Sequence, residues 1–213
     1  MKKIITTLCL LASGLTLQAA SVSINNHSFE NGAGVPAPGN WNNNTPADWN
    51  AYGSKGMQAD ATPPAGTDGA AFGFLQGGAT GNLNGGSFTQ DIATAVGGTI
   101  NPGDVFTLTL AAVNQNASPS FDFDIRDNAD PSLGSSLIGG TQQSGAVAGG
   151  TWADYVVMGT VDTASSNVFL VINTNGGQVR VDNVRLDIEP VPEPSSAALL
   201  GLGGLALILR RRK

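Results

Sequence analysis

Apolar and polar residues alternate with a period of two through much of the interior of this 213-residue chain. The clearest run is 105–113, where Phe106, Leu108, Leu110 and Ala112 fall on one face and Thr107 and Thr109 on the other. In 121–125, Phe121, Phe123 and Ile125 alternate with Asp122 and Asp124. Such alternation places successive side chains on opposite faces of an extended strand, one face buried. Further strands are predicted over 70–76, 87–92, 151–161, 167–173 and 179–188, separated by clusters of Gly, Pro, Asn and Asp. Asn101-Pro102-Gly103-Asp104 reads as a turn directly before the strongest run. Between residues 20 and 188 no helix-length stretch repeats every 3.6 residues. About eight to ten short strands over 20–188 predict an all-β jelly roll or sandwich. In the last strand the apolar phase slips, from Val179 and Val181 to Val184, Leu186 and Ile188. A β-bulge at Asp182-Asn183 would produce that slip.

The two ends break the pattern. Lys2 and Lys3 precede an apolar run over 4–17 and the small-residue site Leu17-Gln18-Ala19-Ala20. This is the order of a secretory signal peptide, residues 1–19, with cleavage after Ala19 or, as the second choice, Ala20. The only cysteine, Cys9, falls in this segment, so the exported chain has no thiol for disulfides or thiolate chemistry. At the other end, over 189–213, Pro192-Glu193-Pro194 and two serines lead into an apolar run over 197–209 and then Arg210-Arg211-Arg212-Lys213. A helix over that run spans about 20 Å at ~1.5 Å per residue. That makes a short, marginal transmembrane helix even with the serines included and the arginines snorkelling. The terminal cations would hold the tail on the cytoplasmic side while the body is exported.

Charge sharpens this division. Charged residues are only 12% of the chain, and six of the ten Lys and Arg lie at its two tips. Residues 20–188 keep Lys55, Arg126, Arg180 and Arg185 against fourteen Asp and Glu, a net charge of −10. So acidic a body repels phosphate backbones, which excludes a nucleic-acid partner, and favours solubility or cation binding. The sparse charge excludes a coiled coil, and the 29 glycines lack the three-residue period of collagen.

Over 190–213, the ordered combination of Pro192-Glu193-Pro194, a short Gly-rich apolar helix and a basic terminus closely resembles the PEP-CTERM sorting signal of exosortase-bearing Gram-negative bacteria. The resemblance implies transient retention in the inner membrane and processing by an exosortase near the motif. Delivery to the cell surface or the exopolysaccharide matrix would follow. Over 24–188 the chain resembles the galactose-binding-like sandwiches of many carbohydrate-binding modules. Three stretches carry the likeness: Asn25-Asn26-His27-Ser28-Phe29-Glu30 at the opening, 86–92 with Pro102-Gly103 in the middle, and Val181-Asp182-Asn183-Val184-Arg185-Leu186 at the close. In such modules the opening Glu and closing Asp meet a structural calcium ion, which implies Glu30 and Asp182 here. Backbone carbonyls and Asp60 or Asp68 would complete the 6–8 oxygens that calcium needs. The alternative is that backbone N–H groups cap both carboxylates with no ion.

Other chemistry is thin. Asp122 and Asp124 share one strand face and are the candidate pair for a polysaccharide hydrolase or lyase; the other reading is two solvated surface charges. With His27 the only histidine, a His-rich metal centre is excluded and a Ser-His-Asp triad disfavoured. Among the aromatics, Trp49 is expected in the core, and Trp41, in an Asn-rich loop, is the candidate for stacking on a sugar. Ice binding, a third option, is disfavoured, because flat ice-binding faces repeat Thr-x-Thr and only Thr107-Leu108-Thr109 fits here. The leading expectation is a non-catalytic exported surface or matrix protein that contacts exopolysaccharide; the alternative is an extracellular polysaccharide-degrading enzyme.

Overall fold

The computed structural model describes residues 19–32, 34–77, 85–116 and 119–191. Most of the expected signal peptide (residues 1–18) and the tail from Pro192 to Lys213 lie outside them, including the Pro-Glu-Pro motif and the terminal arginines. Twelve strands and no helix occur among the described residues: β1 (Ala20–Val22), β2 (Asn40–Asn42), β3 (Asn50–Tyr52), β4 (Ser54–Ala59), β5 (Ala71–Gln76), β6 (Ser87–Asp91), β7 (Val105–Asn116), β8 (Ser120–Arg126), β9 (Gln142–Gln143), β10 (Ala153–Thr160), β11 (Phe169–Asn175) and β12 (Gln178–Glu189). They form an antiparallel jelly-roll sandwich. One seven-stranded sheet runs β10-β7-β12-β5-β4-β2, with β1 also paired to β12; the facing sheet runs β3-β6-β11-β8-β9.

The alternating runs explain the layers. Phe106, Leu108 and Leu110 of β7 and Val179, Val181 and Leu186 of β12 point inward from the larger sheet. They meet Phe88, Phe121, Phe123, Ile125, Leu170 and Ile172 from the smaller one, all buried. Burying each large apolar side chain contributes roughly 1.5–3 kcal/mol. At one end Phe29, Trp49 and Phe88 form an aromatic cluster, with Phe29 and Trp49 stacked at 5.6 Å. Trp49 Nε1 donates to the Asn26 carbonyl at 3.2 Å, so the buried indole keeps its hydrogen bond.

All seven strands read from alternation are present. β2, β3, β4 and β9 were not legible, because their own sequences (Asn-Trp-Asn in β2, Ser-Lys-Gly-Met-Gln-Ala in β4) carry little apolar alternation; β1, where Val22 and Ile24 do alternate with Ser21 and Ser23, is only three residues long. They are held as ladders on neighbouring strands, β4 on β5 and β2 on β4. The phase slip in β12 is a real irregularity: its register against β7 shifts between Asp182 and Arg185, and Asn183 adopts φ 49°.

Candidate functional site

The outer face of the seven-stranded sheet carries a groove of about 420 Å³, lined chiefly by Trp41, Gln58, Phe74, Gln76, Gln178 and Arg180. The ladder assembles it rung by rung. Trp41 of β2 lies opposite Gln58 of β4. Gly56 of β4, Phe74 of β5 and Arg180 of β12 share the next rung. Ser54, Gln76 and Gln178 share the one beyond. Gly56 is required by close approach, because a Cβ there would run into the Phe74 ring and the Asn42 carbonyl. Trp41 is 66% exposed, and its ring meets the buried Phe74 edge-on at 6.3 Å and 76°. A flat apolar ring at the mouth of a groove of amides suits a ligand with one apolar face and many hydroxyls. The groove's Phe74, Gln76, Gln178 and Arg180 were not singled out from sequence. Their signal was the polar, outward parity of 74–76 and 178–180, readable only once the pairing of β5 with β12 is known.

A second polar junction clasps the 60–70 loop onto β12. Asp182 is fully buried. Its Oδ2 accepts the Asp68 backbone N–H at 2.6 Å, and its Oδ1 is buried without a hydrogen-bond partner. Burial raises its pKa to about 7; the backbone N–H groups of Asp68 and Asn183 oppose the shift, and the charges of Asp68 and Glu30 add to it. Glu30 Oε1 accepts the Ala71 backbone N–H at 2.6 Å. Gly69, at φ 109°, leaves room for the Glu30 carboxyl where any side chain would clash. Phe29 stands at φ 58°, a left-handed conformation uncommon for an aromatic residue, with its ring in the core and Glu30 exposed. Among the described residues no three carboxylate or imidazole side chains converge as a metal cluster. A calcium ion here would therefore rest on Glu30 and Asp182 with carbonyl oxygens completing the shell. The orphaned Asp182 Oδ1 is the atom that fits such an ion. Asp60 closes the base of the loop with its backbone N–H, which donates to the Ala70 carbonyl at 2.9 Å, while its side-chain Oδ1 accepts from Gln58 Nε2 at 3.1 Å.

Asp122 and Asp124 of β8 are not the solvated pair that alternation suggested: their exposures are 1% and 0%. Asp124 accepts from Arg126 Nη1 at 2.7 Å and from the Ser136 hydroxyl at 2.6 Å. Burial still holds its carboxyl above the ordinary range, opposed by the bonds from Ser136 and Arg126. Arg126 also donates to the Gly134 carbonyl, so the turns after β8 fold back over this face. Trp152 and Tyr155 are engaged as well. Trp152 packs edge-on against Phe72 at 5.2 Å, and the Tyr155 hydroxyl accepts the Ala148 N–H at 2.7 Å.

No curated protein matches this chain. Residues 190–213 match the PEP-CTERM protein-sorting motif. Among solved structures the chain is similar to a Stig cyclase from Fischerella sp. TAU crystallised with an indole compound, at a TM-score of 0.56 and 16% identity over 82% of this chain and 100% of the cyclase. It is also similar to the apo form of a cyclase from Fischerella sp., at 0.56 and 14% identity over 82% and 98%. A CBM22-1 xylan-binding domain from Paenibacillus barcinonensis is matched at 0.46 and 13% identity over 78% and 93%, a level that carries no argument about ligands. These likenesses concern the fold alone. The chain is thus an all-β jelly-roll sandwich ending in a PEP-CTERM sorting motif, which implies processing by an exosortase and export with a transient membrane anchor.

Proposed function

We propose that this is a non-catalytic component of a Gram-negative cell surface or exopolysaccharide matrix, binding polysaccharide in the groove beneath Trp41. The observation that carries the reading is a tryptophan two-thirds exposed at the mouth of an amide-lined groove. Trp41 stacks on the C–H face of a sugar ring while the glutamines exchange hydrogen bonds with its hydroxyls. The burial of Asp122 and Asp124 supports the non-catalytic part of the reading. Calcium on Glu30 and Asp182 is a structural ion that pins the 60–70 loop beside the groove.

The test is affinity electrophoresis of the full chain, recovered from cells that carry an exosortase, through gels containing those cells' extracted exopolysaccharide. Retardation is expected, with the Trp41→Ala protein at least ~10-fold weaker. Equal retardation of both proteins, or none for either, overturns the assignment.

A further inference from the structure

Of the four basic side chains of the body, three have partners. Arg126 Nη1 lies 2.7 Å from Asp124 Oδ2. Arg185 Nη2 lies 2.7 Å from Asp154 Oδ2. Lys55 Nζ donates to the Asn43 carbonyl at 3.2 Å. Arg180 is different. No carboxylate among the described residues forms an ion pair with it, and its Nε, like that of Arg126, is buried without an acceptor. What holds it is an aromatic ring: its guanidinium carbon sits 5.2 Å from the centre of Phe72, which Trp152 braces from the side. Asp60 is close enough to favour the charged form, against burial, which pulls the guanidinium pKa below its ordinary value. Asp60 itself is turned to Gln58.

A cation that is partly desolvated and has no anion in contact costs stability. The other two arginines of the body each touch a carboxylate. Neutral sugar hydroxyls are served by the glutamines and require no charge. A guanidinium offers a planar fork of donors that matches a carboxylate through two parallel bonds, and stacking on Phe72 fixes the plane of that fork.

We infer that Arg180 is an anion receptor in the groove, and that the polysaccharide taken there is acidic, bearing carboxylates of the uronic acid kind. This rests on the groove reading above. Trp41 on β2 and Arg180 on β12 lie three strand spacings apart, roughly 14 Å across the sheet. That separation is longer than one sugar ring, so an oligosaccharide stacks on Trp41 with one unit while a neighbouring unit presents its carboxylate to Arg180. The net negative charge of the body repels a polyanion, so selectivity has to come from this local contact.

The experiment compares alginate, polygalacturonate, hyaluronan and xanthan with the same four polymers after their carboxyls are reduced to neutral alcohols, using the full chain in affinity electrophoresis. At least one acidic polymer is expected to bind, with its reduced form ~10-fold or more weaker. Arg180→Gln should bring binding of the acidic polymer down to that of its reduced form, Arg180→Lys should restore part of the difference, and Trp41→Ala should weaken both forms. Thermal unfolding of each variant within about 2 °C of the parent establishes that the fold survives. Neutral forms binding as well as acidic ones, Arg180→Gln binding the acid form undiminished, or failure of every acidic polymer to bind overturns the inference. Neutral binding that still needs Trp41 would leave the groove standing without its charge selectivity.

Discussion

The two outer faces of the sandwich start from the same kind of sequence and end differently. Each is built from polar residues at alternate positions of a strand with an apolar inner face: Asp122, Asp124 and Arg126 on β8, Gln76, Gln178 and Arg180 on β5 and β12. On the smaller sheet the turns after β8 fold back and close the charges into a buried pair with a serine. On the larger sheet the flanking strands β2 and β4 stay short and leave the amides and Arg180 facing a groove. Strand parity decides which residues point away from the core, and the covering loops decide whether pointing away means reaching solvent. A polar residue on the outer face is therefore evidence of a site only where nothing lies over it.

The contrast is most easily broken at Asp124. Replacing it with Ala leaves Arg126, 11% exposed, without its carboxylate partner, and such a loss costs roughly 3–5 kcal/mol. Chemical denaturation should show that loss with polysaccharide binding unchanged at temperatures where the variant is folded. A cost under about 1 kcal/mol would mean the pair is not sealed from water and the two faces are alike.

Asp182 tests the junction beside the groove. Its folded pKa of about 7 lies above its ordinary 3.8, so the folded state holds the extra proton. In chelator, the contribution of Asp182 to stability is then greatest below about pH 4 and falls by up to ~1.4 kcal/mol per pH unit as the pH rises toward 7. Calcium favours the ionised carboxylate, so millimolar calcium should flatten or reverse that slope, and Asp182→Asn should abolish both behaviours. A melting profile between pH 4 and 8 that is indifferent to calcium would leave Glu30 and Asp182 capped by backbone N–H groups alone.

How far the sequence could be read follows the same division. Long strands such as β7 were legible because the alternation of Phe106, Leu108 and Leu110 with Thr107 and Thr109 admits one buried face. The bulge was legible because a slip of one residue moves every following side chain to the other face. Trp41 and Trp49 differ by context, one in an Asn-rich stretch that forms the short edge strand β2 and one after a turn leading into the Phe29 cluster. The groove floor was not legible, since Phe74, Gln76, Gln178 and Arg180 lie about a hundred residues apart in sequence. Only the β5–β12 register makes them neighbours. The burial of Asp122 and Asp124 was hidden for a related reason: it depends on Ser136 and Gly134 returning from beyond the strand.

Trp41 separates binding from stability. Its side chain is mostly in solvent and touches the fold chiefly through the edge of Phe74, so Trp41→Ala should change the unfolding free energy by no more than about 0.5 kcal/mol while removing most polysaccharide affinity. A destabilisation of several kcal/mol would make Trp41 a packing residue and the groove mouth part of the core.

The smallest effect is expected at Arg185, and it calibrates the others. Like Arg126, Arg185 sits on an outer strand face with a guanidinium nitrogen 2.7 Å from an aspartate oxygen, here Asp154. The geometry is the same and the surroundings are not, for its two partners are 46% and 53% exposed, whereas the Asp124 side chain is 0% exposed. Water screens the exposed pair and ordering two mobile side chains offsets its attraction, so Arg185→Ala should cost less than about 1 kcal/mol and fade further in high salt. Measured beside Asp124→Ala, it holds contact distance fixed and varies only the cover. If both pairs cost the same, distance alone governs these charges, and the unpartnered state of Arg180 loses its meaning as a mark of ligand chemistry.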